Sequence, residues 1–143
     1  MGDITVGKWL TVTGDVSGTG VKHQCKITYD NNSGDASTPP FNWPVMGDFT
    51  VILENRITST GVLEAVDQNI DLKFEASVDG DNYFELYEEA NVLDSPATQD
   101  AHIYDFDSKG LFPHMRVTLD PDAALGASPA HDVYVTIITH HMV

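Results

Sequence analysis

The 143 residues carry 22 Asp and Glu against 7 Lys and Arg, a formal charge of −15, with 41% hydrophobic and 20% charged side chains. That length and mix suit one globular domain over residues 1–143 with a packed core. The charge leaves no basic footprint for a phosphate backbone or an anionic lipid surface, so nucleic acid and membrane are not expected partners. Cys25 is the only cysteine, which excludes an intrachain disulfide and a thiolate-cluster metal site. No apolar run approaches the roughly 18 residues of a membrane span. The first residues lack the basic-then-apolar order of a signal peptide, so synthesis in a cytoplasm is expected.

Along the chain, residues 8–13 predict a short strand, and residues 14–20 are turn-rich. The glycines there lack the Lys and helix start of a nucleotide loop. Residues 21–29 alternate, with Val21, His23, Cys25, Ile27 and Tyr29 on one face. Residues 30–48 form a long connection carrying Pro39, Pro40, Phe41, Trp43 and Pro44. Two readings stand: Phe41, Trp43 and Pro44 make a rigid interface patch, or the two aromatics fold back as a plug. Residues 49–54 are rich in β-branched side chains and predict a buried strand.

From Ile70 to Val78 apolar and polar residues alternate without a break, which predicts a strand with one face in the core. Asp79-Gly80-Asp81-Asn82 then supplies turn residues, and Tyr83 opens a second strand over 83–87. Residues 85–93 admit a short helix ended by Asp94-Ser95-Pro96. Further strands are predicted over 101–106, 115–119 and 133–139. About eight strands between turn-rich segments predict an all-β antiparallel β-sandwich, jelly-roll-like, with little helix.

Motifs for catalysis are missing. There is no Gly-x-Ser-x-Gly elbow, and Cys25 beside His23 on one strand face reads as packing. The histidines at 23, 102, 114, 131, 140 and 141 show no zinc-ligand spacing, although His131, His140 and His141 are candidates to meet at an edge or at a symmetry axis. Asp105, Asp107 and Gly110 begin like a calcium loop, but Lys109 and Arg116 stand where oxygen ligands belong. No catalytic residue, metal or cofactor is expected.

The block from Leu72 to Tyr83, a strand followed by Ser-x-Asp-Gly-x-Asn-Tyr, precedes Phe112-Pro113-His114-Met115-Arg116-Val117-Thr118-Leu119, with Arg116 expected to point outward, and a β-branched closing strand. Over residues 61–143 this resembles small jelly-roll or β-sandwich virion structural proteins of tailed viruses, of the capsid decoration or cement type. In the hairpin, Asp79 and Asn82 bond back to the turn, Gly80 takes the positive φ and Tyr83 covers the corner. The resemblance implies a virion location, a major capsid or other virion protein as partner, and a homo-oligomer, a trimer by preference. A tail or fibre-collar component is the near alternative. A carbohydrate-binding jelly-roll, with Asn42, Trp43, Asp81 and Tyr83 as sugar contacts, is the alternative from another class.

Overall fold

The computed structural model describes residues 2–12, 20–40, 48–63, 69–93, 101–107, 114–127 and 129–140. Phe41, Trp43 and Pro44, like Asn42, lie outside them. The described elements are the strands β1 (Ile4–Val6), β2 (Leu10–Val12), β3 (Gly20–Tyr29), β4 (Ala36–Ser37), β5 (Asp48–Ile57), β6 (Ile70–Ser77), β7 (Phe84–Leu93), β8 (Ala101–Asp107), β9 (His114–Pro121) and β10 (His131–His140). All pairings are antiparallel. One sheet runs β1-β3-β10-β5-β8, with β2 also on β3, and the other runs β4-β9-β6-β7.

The pairings have a simple logic. Strand β3 pairs with β10, β4 with β9, β5 with β8 and β6 with β7, which is one long nested hairpin. Folding that ribbon over itself adds the pairs β10–β5 and β9–β6 and puts alternate ribbon segments in opposite sheets. This is the jelly roll, a β-sandwich built from two Greek keys.

Period-two alternation supplies the core. Cys25, Ile27 and Tyr29 on β3, Val51 and Leu53 on β5, and Val133, Val135 and Ile137 on β10 point inward from the first sheet. Ile70, Leu72, Phe74 and Ala76 on β6 and Met115, Val117 and Leu119 on β9 meet them from the second, with Ala36 and Leu125 closing one end. Each large side chain here contributes about 1.5–3 kcal/mol by leaving water. Cys25 sits wholly in this layer, its Sγ 3.3 Å from the Gly7 carbonyl oxygen, and burial pushes the thiol up to about 11. It is a packing residue.

Several expectations need correction. Residues 85–93 are strand, not helix: β7 runs through them paired to β6. Two register shifts, between Ile70 and Leu72 and between Phe74 and Glu75, displace the alternation of β7 and disguise it in the sequence. The long connection after Tyr29 contains β4, held on β9 by Ala36↔Leu119, and Thr38 extends the ladder through its amide on the Val117 carbonyl at 2.8 Å. The N-terminal segment gives two short strands on β3, not one over 8–13. Asp105 and Asp107 lie in β8, opposite Thr50 and Asp48 of β5, while Lys109 and Gly110 lie outside the described residues. His131 and His140 sit at opposite ends of β10, about 30 Å apart at strand rise, and do not converge. His131 is buried, with Nδ1 2.6 Å from Asn55 Nδ2. None of the described residues is helical.

Candidate functional site

The hairpin joining β6 to β7 is built around one carboxylate. Asp79 Oδ1 accepts from the Ser77 hydroxyl at 2.9 Å and from the amides of Asp81 and Asn82 at 2.8 and 2.9 Å, and Oδ2 accepts from Asn82 Nδ2 at 2.8 Å. Those bonds, led by the Asn82 and Asp81 amides, hold the carboxyl well below the usual carboxylate range. Gly80 has φ +83°, and its amide donates to Ser77 Oγ at 2.9 Å. A Cβ there would stand 3.3 Å from His114 Nε2, so the turn lies directly on the start of β9.

Tyr83 leaves this turn and lies under Arg116 of β9, whose guanidinium carbon is 3.9 Å from the ring centroid. Arg116 Nε donates to Glu75 Oε1 of β6 at 2.9 Å. Strand alternation explains the meeting, because Glu75 and Arg116 are register partners whose inward neighbours Phe74, Ala76, Met115 and Val117 are in the core. The Thr118 hydroxyl also donates to Glu75 Oε1, and Ser37 Oγ is 2.7 Å from Thr118 Oγ1. With its proton committed to an acceptor-only carboxylate, Thr118 must accept from Ser37. Donors from Thr118 and Arg116 therefore converge on Glu75, linking β4, β9 and β6, and Arg116 carries the link on to the Tyr83 ring. Glu75 and Arg116 keep 16% and 30% of their side-chain surface in contact with solvent, whereas Thr118 is buried behind them.

Beside it stands a second group. Lys73 Nζ lies 3.3 Å from Asp120 Oδ2 and 3.9 Å from Glu88 Oε2. Burial alone would lower the Lys73 pKa, but the bond to Asp120 and the charges of Asp120, Asp35 and Glu88 outweigh it and raise it. Partial burial, with the hydrogen bond and charge of Asp120, raises the Asp35 pKa against the smaller pull of Lys73. The outer face of the β4-β9-β6-β7 sheet thus presents a row of hydrogen-bonding groups flanked by an aromatic ring. Among the described residues no group of three or more His, Cys, Asp or Glu is arranged to hold a metal ion.

Of the residues singled out in the sequence, the structure brings Asp79, Gly80, Asn82 and Tyr83 together in one turn. It adds Ser37 and Asp120, and gathers Lys73, Glu75, Arg116 and Thr118, which stand in the two strand blocks but were not singled out as site residues. Their signal was the polar half of the alternation on β6 and β9; the sequence did not show that these strands are neighbours.

A scan against protein-family models and a search of curated proteins find no match. Solved structures similar to this chain include one described as "CBM4 structure and function", at 6% identity and TM-score 0.40, covering 96% of this chain and 94% of the other. A second concerns the promiscuous specificity of carbohydrate-binding modules of the β-sandwich superfamily, at 9% identity and TM-score 0.41, covering 94% and 54%. A third is an arabinose-bound α-L-arabinofuranosidase, at 8% identity and TM-score 0.35, covering 92% of this chain and 23% of that one. Similarity at this level transfers no site, and the sandwich assignment stands on the strand pairing itself.

Proposed function

We propose that this chain is a non-catalytic recognition module that binds a carbohydrate on the outer face of its β4-β9-β6-β7 sheet. The observation that carries the reading is the chain Ser37–Thr118–Glu75–Arg116 ending on Tyr83. A sugar offers vicinal hydroxyls that both donate and accept, and a patch of C–H bonds. A carboxylate, a guanidinium and the Ser37 hydroxyl, held from behind by the buried Thr118, suit the former, and an aromatic ring the latter. Rigid strands keep the ordering cost of binding low. A charge of −15 favours a neutral ligand over a phosphorylated one.

The capsid-decoration role rests on the sequence resemblance over residues 61–143 alone. The Ser-x-Asp-Gly-x-Asn-Tyr turn has a local reason to exist, because Asp79 satisfies the turn amides, and that reason names no partner. Neither the sheet face nor the comparisons add to the virion reading. Two of the similar structures are named for carbohydrate binding, a coincidence of class at identities that carry no residue across.

Retention of the purified chain in gels containing a panel of neutral polysaccharides tests the proposal. Slowed migration with at least one neutral glycan is expected. Unretarded migration with every one, from a protein with an intact β-sheet circular dichroism spectrum, overturns it.

A further inference from the structure

We infer that the outer face of the first sheet, along β3 and β10, binds an acidic sugar, a uronic-acid oligosaccharide, on Lys22, Gln24, Lys26 and Tyr134. Cys25 and Ile27 face the core, so the alternation of β3 turns Lys22, Gln24 and Lys26 outward, beside their register partners Ile138, Thr136 and Tyr134 of β10. Neither lysine forms an ion pair with a described residue, and Lys26 is exposed. From Lys22 to Thr28, the register rows across β10 and β5 bring two carboxylates, and both are engaged. Glu54 pairs with Arg56 at 3.1 Å, and the buried Asp132 accepts from the Thr28 and Thr58 hydroxyls at 2.7 and 2.9 Å. Asp105 of β8 lies three strand spacings from Lys22, about 14 Å. That exceeds the screening length of about 8 Å at physiological salt, so this strip is locally cationic on a chain of charge −15.

The strands beneath decide the kind of occupant. β3 pairs with β10 on one edge and with β1 and β2 on the other, where the Gly7 amide also meets the Lys26 carbonyl at 2.8 Å. β10 lies between β3 and β5. An extended peptide therefore finds no main-chain ladder here, and recognition falls to side chains. Lys22 and Lys26 stand about 14 Å apart at strand rise, with Gln24 midway. Gln24 is fixed by its Nε2 donating to Thr136 Oγ1 at 3.1 Å. The half-buried Tyr134 ring has the Arg56 guanidinium carbon 5.9 Å from its centroid. Linked sugars bearing carboxylates meet both ammonium groups, their hydroxyls meet the Gln24 amide, and their C–H faces pack on Tyr134. This site lies across the sandwich from Glu75 and Arg116 and does not rest on them.

The test is a heteronuclear NMR titration of the full chain with a galacturonic acid trisaccharide at about 0.15 M salt. A neutral galactose trisaccharide and a peptide alternating Glu and Ser are the controls. The acidic sugar is expected to shift the amide signals of residues 22–26 and 133–138 and to bind at least about tenfold tighter than the neutral one. Its affinity should fall about tenfold in Lys26→Gln, an exposed position whose change leaves the core intact. No shifts at millimolar sugar, shifts confined to β6 and β9, equal affinity for the neutral sugar, unchanged affinity in Lys26→Gln, or peptide binding as tight as the sugar's would each overturn it. Neutral-glycan retention and its dependence on Arg116 report on the opposite face, so failure here leaves the carbohydrate reading of that face standing.

Discussion

Asp79 accepts four hydrogen bonds within its own turn, and its pKa is depressed as a result. A group whose folded pKa lies below its unfolded value stabilises the fold above the unfolded pKa, near 3.9, and loses that contribution as pH falls through the folded one. Asp35 has the opposite sign. Its raised pKa favours the folded state in acid, and that contribution is lost as pH rises through the folded value. Stability curves between pH 2 and 7 should therefore change slope in opposite directions in Asp79→Asn and Asp35→Asn; parallel shifts in both would contradict the assignment. Also at this scale, Phe74 is fully buried between the sheets, and Phe74→Ala should cost about 3–5 kcal/mol in urea unfolding. A loss below about 1 kcal/mol would place the core elsewhere.

Turns and ladders decide how far these elements could be read in advance. β6 was legible because Ile70 to Ala76 alternate cleanly between buried and half-exposed. β7 was half legible, since its register shifts break the period on which reading depends. The two-residue β4 was invisible: nothing local distinguishes Ala36-Ser37 from loop, and β4 exists because its partner β9 and the bonds of Asn31 and Asn32 to Gly126 and Leu125 hold it. The hairpin motif was readable because its chemistry is local, whereas the Glu75–Arg116 pair joins residues 41 positions apart. Gly126, at φ +73°, shows the same dependence on distant chain, because a Cβ there would meet the Tyr29 carbonyl oxygen at 2.2 Å. At Gly61, with φ +70°, a Cβ would meet nothing within 4 Å. Gly61→Ala should cost about 1–2 kcal/mol from backbone conformation alone, and Gly126→Ala clearly more. Equal losses in thermal unfolding would mean that the Tyr29 contact is relieved at little cost.

At the scale of the whole molecule, the nested hairpin gives the sandwich two outer faces, and the β4-β9-β6-β7 face carries the chain from Ser37 to Tyr83. The all-β sandwich was legible from alternation and turn spacing. The face was not, because membership of a face follows from strand order, which pairs β6 with β9 across more than thirty intervening residues. Isothermal titration of the polysaccharide that retards the protein, into the native chain and into Arg116→Ala, tests the central claim most directly. Arg116 makes no core contact that the substitution would open, so the variant should keep its β-sheet spectrum. Affinity should fall about tenfold or more, as for loss of a charged hydrogen-bonding group. Unchanged affinity in a folded Arg116→Ala protein would contradict the account and move the binding surface off this face.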